Sequence, residues 1–338
     1  MKTRVTLLLA SAALLASFGT AAAQDKTGTT FGQFLQIEPS ARQAGMGNAG
    51  VALSGELGNV FYNPGTIGTV GTPSIQLTHS EWFAGIDYDY VAGVLPMGNL
   101  GTFFGSVTML DSGDIDVRTV SQPLGTGERY SVTDFAVALG YGRQVTDRFS
   151  AGGRIMYVNE TIWHSSASQV ALDVGTVYRV PLTGLSIGTS LTNLGGRSSF
   201  NGRDLAIQYD ADPDRNGDNS SLPAEQLTGD FPLPILFRVG LAYPISTGER
   251  SQALLALDAH HPSDDPESVS LGAEWAFAEA LFLRLGYQEL FLEDGEQGLT
   301  AGVGLATDLA GSRFRFDYAW AGHERLEETH RFTVVLGF

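Results

Sequence analysis

The acidic stretch from Asp210 to Asp218 carries oxygen ligands at the spacing that a calcium-binding loop uses. Side chains at alternate positions can converge on a hard cation, and Gly217 allows the sharp turn that such a loop needs. Counted from Asp212 as the first position of the loop, the twelfth position, where a bidentate glutamate belongs, is Pro223. Two hypotheses therefore stay open, a Ca²⁺ site or a solvated acidic loop without a metal. The four candidate ligands are Asp212, Asp214, Asn216 and Asp218.

Other residue types that could perform chemistry are scattered along the chain. The six histidines show no metal-ligand spacing beyond the adjacent pair His260 and His261, and we expect rim or interface positions for them. None of the serines is predicted to sit on the strand-to-helix elbow that exposes a catalytic nucleophile. The chain has no cysteine, which excludes thiolate chemistry and disulfides. We therefore predict that the protein is not an enzyme and has no cofactor other than the hypothetical Ca²⁺.

One segment, Phe34 to Gly68, lacks the pattern of a strand or a strand connection. Its part from Ser40 to Gly50 is rich in residues with small side chains or none. Such residues form a poor isolated helix but let one backbone approach another closely. The sequence Asn63-Pro64-Gly65 then supplies the chemistry of a tight turn. We therefore predict that this segment is a plug, enclosed by the strands that follow it.

The plug segment resembles the N-terminal signature of the PorV/PorQ family of outer-membrane proteins, which are relatives of the FadL-type barrels. The resemblance rests on Phe34-Leu35, on the stretch from Ala41 to Ala49 and on the stretch from Asn59 to Gly65. The usual Asn-Pro-Ala of the family is Asn-Pro-Gly here. The resemblance implies a FadL-like barrel closed by a plug and, as in several members, a role in type IX secretion. The candidate plug and gating residues are Arg42, Gly45, Met46, Gly47, Asn63, Pro64 and Gly65.

The N-terminus has the pattern of a secretory signal peptide. Lys2 and Arg4 precede an apolar run, and the small residues at 21–23 form a cleavage site. The apolar run is shorter than the ~20 residues that a helix needs to cross a bilayer. We therefore expect export and location in the bacterial outer membrane. The predicted parts of the chain are a signal peptide at 1–23, the plug at 24–70 and an outer-membrane β-barrel at 71–338.

The composition narrows the possible partners. The chain has 20 Lys and Arg against 37 Asp and Glu, a formal net charge of −17. So acidic a protein is not expected to bind nucleic acid or an anionic membrane surface nonspecifically. Apolar residues make up 43% of the chain and are interleaved with polar ones, and glycine is abundant at 42 residues. Interleaving indicates β-structure that faces two different environments.

The clearest strand signal lies near the C-terminus. From Arg313 to Trp320, aromatic residues alternate with charged or small ones, as expected when successive side chains point to opposite faces. The last strand repeats the pattern and ends on an aromatic residue. Strands of about 9 to 14 residues suit a tilted bilayer crossing. We expect the outward residues of the last strand to meet lipid and present the signal for the barrel-assembly machinery; they are Phe332, Val334, Leu336 and Phe338.

The segments with strand character number about fourteen, an even number, as bacterial single-chain barrels have. The fold class predicted is all-β, a transmembrane antiparallel β-barrel of about 14 strands with an N-terminal plug. Short connections alternate with longer ones, of which the longest lie near 114–129 and 196–232. Short turns are periplasmic and long loops extracellular in such barrels. The predicted strands are 73–82, 86–97, 101–113, 130–145, 149–163, 168–180, 185–195, 233–246, 251–261, 267–278, 281–292, 297–309, 313–323 and 328–338.

Two further groups of residues have predicted positions. Aromatic residues near strand ends are expected to form the interfacial girdle, or in part to line a ligand entrance. Inward arginines are expected to pair with carboxylates in the lumen. The aromatic residues are Trp82, Phe83, Tyr88, Tyr90, Trp163, Phe291 and Trp320. The arginines are Arg118, Arg154, Arg238, Arg284 and Arg315.

Two functions from different classes remain. The first is the one that the family resemblance implies, a secretion component that holds exported cargo or other secretion-system proteins at the cell surface. The alternative is a FadL-type transporter of hydrophobic small molecules. Its lumen pocket would lie against Met46, Val51, Leu53, Phe61 and Tyr62. The number of inward charges favours the first, because a hydrophobic substrate needs a mostly apolar path.

Overall fold

A closed barrel of fourteen antiparallel strands is the main feature of the computed structural model, which describes residues 28–210, 212, 214, 221–292 and 295–338. Each barrel strand pairs with its neighbours in sequence, and the first pairs with the last from Ser74↔Gly337 to Glu81↔His330. The predicted fold class is therefore confirmed. The strands are β1 (Ser74–Glu81), β2 (Asp87–Pro96), β3 (Thr102–Asp111), β4 (Val132–Thr146), β5 (Phe149–Ile162), β6 (Ser165–Arg179), β7 (Ser186–Gly195), β8 (Leu236–Ser246), β9 (Ser251–Pro262), β10 (Ser268–Phe277), β11 (Leu281–Leu290), β12 (Gln297–Leu309), β13 (Ser312–His323) and β14 (Thr329–Gly337).

The two faces of the wall differ in polarity. In β1, Gln76 and Ser80 are buried inside the ring, whereas Ile75 and Leu77 are 41% and 45% exposed on its outside. A soluble sandwich would bury the apolar face and expose the polar one. The reversed arrangement suits an apolar face that meets lipid and a polar face that lines the lumen. In β14, Phe332 and the other outward residues of the last strand lie on this outer face.

The connections differ in length at the two ends of the barrel. At one end, here called the inner end, the turns are short, and residues 147–148 and 310–311 are examples. At the opposite end, called the outer end, two connections are long, at 112–131 and 196–235. By the rule for bacterial barrels, the inner end is periplasmic and the outer end extracellular. Short ladders extend the long connections: Ile115–Asp116 with Arg129–Tyr130, Arg197–Ser198 with Phe231–Pro232, and Ala206–Tyr209 with Leu222–Glu225.

Most strand bounds lie within two residues of the predicted ones, and two differ by three. Strand β6 begins at Ser165 instead of 168, because Ser165 to Ala167 pair fully with the end of β5. Strand β8 begins at Leu236 instead of 233. Pro234 interrupts the approach to β8, since proline has no N–H to give to the ladder.

The described part of the plug, residues 28–70, runs through the lumen from the outer end to the inner end. At the outer end, the amide of Phe31 donates to the carbonyl of Pro232 and the hydroxyl of Thr30 donates to Asp264, at 3.0 and 2.6 Å. The plug contains only short helical turns, at Gln33–Gln36, Ala41–Ala44, Leu57–Asn59 and Pro64–Thr69. No helix among the described residues is long and apolar enough to cross a membrane.

Three predicted positions are wrong. Tyr88 and Tyr90 are 0% and 2% exposed inside the barrel and take no part in an interfacial girdle, because the outward positions beside them belong to Asp87 and Asp89. Arg118 lies exposed in the connection at 112–131, so it is not an inward residue. For Tyr88 and Tyr90, the alternating pattern was assigned to the wrong face of the strand. For Arg118, the pattern was extended beyond the end of β3 into the connection.

Candidate functional site

A band of inward-facing glycines lets the plug backbone lie directly against the wall. Gly142, Gly152 and Gly175 are paired across β4, β5 and β6, and Gly272 faces Gly286 across β10 and β11. Any side chain on them would meet plug atoms: Ile67 at Gly142, Pro64 at Gly152, Asn63 at Gly175, and Met46 at the other pair. We call this band the glycine girdle. It explains part of the high glycine content as a packing requirement.

Plug glycines meet the wall in the same way. A Cβ on Gly47 would lie 2.5 Å from the carbonyl oxygen of Leu271, and Gly47 also has a φ of 63° that favours glycine. A Cβ on Gly65 would lie 2.6 Å from the carbonyl carbon of Gly175, and one on Gly45 would lie 3.0 Å from the Cα of Gly302. Contact at this level is main chain to main chain, which leaves no room for a solute between plug and wall.

Asn63 fixes the turn that precedes the last part of the plug. Its side chain is fully buried, and its Oδ1 accepts the Gly65 amide at 2.8 Å, as a helix cap does. Its Nδ2 donates to the carbonyls of Val51 and Thr176, at 2.8 and 2.9 Å. Pro64 occupies the first position of the short helix, where its missing N–H costs nothing. The side-chain amide of Asn63 therefore connects two parts of the plug, at Val51 and at Gly65, with Thr176 of β6.

A buried ion-pair network joins the plug to the wall below the girdle. The Arg42 guanidinium binds Glu274 of β10 through Nε and Nη2, at 2.9 and 2.7 Å. Its Nη1 contacts Glu56 of the plug at 2.8 Å. Arg284 then connects Glu274 to Asp317, at 2.7 Å for each contact. Plug and wall thus share one set of charges.

Arg315 completes this network from β13. Its Nη1 lies 2.8 Å from Glu56, and its Nε lies 2.8 Å from Asp317. Burial alone would raise the pKa of the Glu56 carboxyl, but the charges of Arg315 and Arg42 outweigh it and hold that pKa below its ordinary value. Burial likewise opposes the charge of Arg42, yet Glu274 and Glu56 hold its pKa above the usual range. We call these six residues the ionic lock: Arg42, Glu56, Glu274, Arg284, Arg315 and Asp317.

Above the plug, the lumen contains a cavity of about 470 Å³ that opens at the outer end. We call it the upper cavity. Its floor includes Asn48 and Tyr62, whose hydroxyl donates to the Asn48 Oδ1 at 3.0 Å. Glu38 and Arg238 also line it. Burial raises the pKa of the Glu38 carboxyl, while the charges of Arg331 and Arg238 act in the opposite direction. The apolar part of the lining is Phe34, Ile37, Trp82, Phe83, Ile86, Leu110, Leu236 and Leu292.

A lower cavity of about 430 Å³ lies on the other side of the plug, at the inner end. Members of the ionic lock line it, with Phe282 beneath the Arg315 guanidinium at 4.5 Å from the ring centre. The plug and the glycine girdle separate the two cavities. The lumen is thus divided into an outer and an inner compartment, and both have apolar and charged residues in their linings.

The wall of the upper cavity includes an irregular region between β11 and β12. The ladder between these strands ends at Tyr287↔Leu299. Beyond it, β11 continues to Leu290, which pairs with Val269 of β10 after a bulge. The gap is bridged by the Gln297 amide, which donates to the Glu289 carboxylate at 3.1 Å. We call this interrupted ladder the seam; Gln288, Glu289, Leu292 and Gln297 border both it and the upper cavity.

Most of the predicted plug residues contact the barrel wall. Arg42 belongs to the ionic lock, and the others belong to the girdle contacts or to the turn at Asn63. Of the apolar residues proposed to line a transporter pocket, Tyr62 lines the upper cavity and Leu53 a smaller cavity at the inner end. The remaining three, Met46, Val51 and Phe61, are buried within plug–wall packing.

The predicted arginine pairs are found for Arg154, Arg284 and Arg315. Arg154 binds Asp173, whose other oxygen accepts the Asn193 amide at 2.5 Å. Residues that sequence reasoning missed, Asp134 and Glu38, line the upper cavity. For Asp134 the signal was present, since an acidic residue at an inward position of a strand faces the lumen. The spacing of Glu38 in the plug gave no comparable signal.

The metal and nucleophile hypotheses receive no further support. Asn216 and Asp218 lie outside the described residues, and Asp212 and Asp214 are exposed. Among the described residues, no group of three or more metal-ligating side chains is placed to hold an ion. The stretch from Gly184 to Gly188 has the Gly-x-Ser-x-Gly spacing, but its serine begins β7 and leads into a strand instead of a helix.

Comparisons with solved structures identify the fold. The Pseudomonas putida toluene transporter TodX superimposes with a TM-score of 0.55 at 13% identity, covering 89% of this chain and 98% of that one. The fold is that of the FadL-like outer-membrane barrels. A Pseudomonas aeruginosa FadL homologue gives a TM-score of 0.56 at 10% identity, and the Ralstonia pickettii toluene transporter TbuX gives 0.53 at 12%, each covering 89% of this chain and 98% of that one. No protein-family model and no curated protein matches the chain.

Proposed function

We propose that this FadL-like barrel admits a small hydrophobic or amphipathic molecule from the cell exterior into the upper cavity. The observation that carries the proposal is the cavity itself, about 470 Å³ in volume at the outer end, with Phe34, Trp82 and Phe83 in its lining. A concave site of this size, in which apolar side chains stand beside polar groups that can orient a ligand, suits a small amphipathic molecule. The descriptions of the structural neighbours as toluene transporters agree with it. The apolar outer face and the shared fold support an outer-membrane location.

The route out of the upper cavity is the seam and not the plug. Passage through the plug would require its displacement from the glycine girdle and rupture of the ionic lock. At the seam, among the described residues, the hydrogen bond between the Gln297 amide and the Glu289 carboxylate crosses the gap where the ladder is interrupted. A molecule that moves through it enters the apolar part of the membrane directly.

Two engineered disulfides test this route, and the absence of native cysteine makes both unambiguous. The pair Glu289→Cys with Gln297→Cys closes the seam. The pair Ala41→Cys with Ala319→Cys, whose side chains pack together, fixes the plug to β13. Uptake of radiolabelled toluene is measured in cells that lack their own transporter, and each single variant serves as a control.

We expect the wild-type chain to increase uptake, the oxidised seam pair to abolish the increase, and a reductant to restore it. The plug pair should leave uptake unchanged. Inhibition by the plug pair alone would place the route through the lumen. If the wild-type chain increased the uptake of neither toluene nor a long-chain alcohol, the proposed transport function would be wrong.

A second candidate is the secretion role that the PorV/PorQ resemblance implies. It is favoured by almost fully exposed apolar side chains on the long outer connections, among them Val120 and, within 196–235, Leu227, which no described part of the chain covers. Such side chains are available for contact with a partner protein. Removing residues 196–230 should reduce recovery of exported cargo with the barrel in a pull-down while toluene uptake persists. Unchanged recovery would exclude this candidate.

A further inference from the structure

Asp134 is a buried carboxylate without a matching cation. It lies at an inward position of β4, lines the upper cavity and is 7% exposed. Its Oδ1 has no hydrogen-bond partner. Its cross-strand neighbours are Leu110 on one side and Glu160 on the other. In the described part of the chain, no Arg, Lys or His forms an ion pair with it.

Asp134 and Glu160 are like charges directly opposite each other, an arrangement that destabilises a strand pair. One oxygen of Glu160 is occupied, since it accepts the Gly32 amide of the plug at 2.8 Å. The Asp134 carboxylate likewise has one backbone hydrogen bond, with Thr161, but among the described residues its Oδ1 has no partner. Burying an anion without a partner is costly, and buried charges in proteins are normally paired with an opposite charge.

The lining of the upper cavity as a whole is also negatively charged. Its lining contains four carboxylates, at Glu38, Asp134, Asp265 and Glu289, against the single guanidinium of Arg238. The other titratable groups in the lining are Tyr62 and the half-buried His260, which lies across from Arg238. Like charge repels an anionic ligand and concentrates a cationic one. The apolar lining, which includes Leu110 next to Asp134, offers space for a hydrocarbon chain.

Building on the proposed function, we propose that the upper cavity binds a cationic amphiphile, with its ammonium group on the Asp134 carboxylate and its hydrocarbon tail against the apolar lining. An N⁺–H donor on the free Oδ1 would form a charge-assisted hydrogen bond and relieve the repulsion from Glu160. The preferred ligand class is thus an alkyl or arylalkyl amine.

The test compares three probes with the same chain length, octylammonium, octanol and octanoate. Each is titrated calorimetrically into the purified full-length protein in neutral maltoside micelles at pH 8.5, where a buried carboxyl beside another carboxyl is ionised and an alkylammonium is still protonated. We expect octylammonium to bind roughly tenfold more tightly than octanol, as one hydrogen bond to a charged group provides. Octanoate should bind more weakly than octanol. The Asp134→Asn variant should lose the preference for octylammonium.

Asp89→Asn is the matched control, because it removes the same charge from the exposed outer side of β2, where Asp89 contacts His79 at 2.9 Å. This variant should keep the preference. A second measurement separates binding from a structural role. Without ligand, Asp134→Asn should unfold at the same or a higher temperature than the wild type, since a like-charge contact is removed.

Each remaining outcome overturns the inference. Equal binding of all three probes leaves the proposed function intact but excludes Asp134 as a headgroup site. Tighter binding of octanoate than of octylammonium would show that the cavity prefers an anion. A lower unfolding temperature for Asp134→Asn would make Asp134 a structural residue. If none of the probes bound, the proposed function would fail together with the inference.

Discussion

The ionic lock predicts that Arg42 is strongly coupled to one glutamate and weakly to another, although it contacts both. The side chain of Glu274 is 6% exposed and that of Glu56 is 41% exposed. Breaking a buried pair by removing one partner costs about 3–5 kcal/mol, whereas exposed pairs contribute about 0.2–1 kcal/mol. Arg284 remains beside Glu274 when Arg42 is removed. We therefore expect a coupling of about 3 kcal/mol for Arg42 with Glu274 and under about 1 kcal/mol for Arg42 with Glu56.

Double-mutant cycles measure both couplings. The variants are Arg42→Ala, Glu274→Gln, Glu56→Gln and the two double variants. The readout is hydrogen exchange at the amides of Gly45 and Met46, which donate within the plug at 3.0 and 2.9 Å and report its local opening. A coupling of about 3 kcal/mol corresponds to roughly a 150-fold change in the opening equilibrium. Equal couplings for the two glutamates, or unchanged exchange in Arg42→Ala, would refute the reasoning.

Three further predictions concern the girdle, the pH dependence and the last strand. Gly286→Ala should lower barrel stability by about 1–3 kcal/mol, since its Cβ would meet the Gly47 amide. The control Gly93→Ala would meet only the Ser74 carbonyl oxygen, at 3.9 Å, and heat-modifiable gel migration compares the two. Because the pKa of Glu56 is lower in the folded protein than its ordinary value of 4.5, Glu56 stabilises the plug above pH 4.5, and this stabilisation is lost as the pH falls below that value. Hydrogen exchange of the plug amides should therefore rise only below pH 4.5, and Glu56→Gln should show no such rise. Leu336 lies one residue from the inner end of β14, so Leu336→Arg should cost only about 0–1 kcal/mol of stability. Because it alters the terminal assembly signal, it should still lower outer-membrane levels, as should deletion of Phe338; normal levels for both would contradict the assembly role.

The barrel was predictable because its signal is local. Period-two alternation places Phe314 and Phe316 outward and Arg315 inward without knowledge of any partner strand. The predicted short turns followed from the same pattern. Strand starts were less certain where a proline such as Pro234 interrupts an otherwise suitable run.

The site was less predictable because its contacts are not local. Arg42 and Glu274 are 232 residues apart, and nothing in the spacing of either points to the other. The glycine girdle requires the register as well, since Gly152 acquires its role only by lying between Gly142 and Gly175. Small residues in the plug indicated close contact, but the complementary glycines in the wall were dispersed over many strands.

The inward charges, which favoured a secretion role in the sequence, do not measure the polarity of a ligand's route. Arg284, Arg315 and their partners are concentrated at the plug–wall contact and in the lower cavity, where they fix the plug. A molecule that enters the upper cavity and leaves at the seam does not pass them. The relevant surface is the part of the lumen above the girdle, where apolar residues are grouped and the remaining charge is mostly negative. A polar lumen and a hydrophobic substrate are therefore compatible in this barrel, because the plug separates the two.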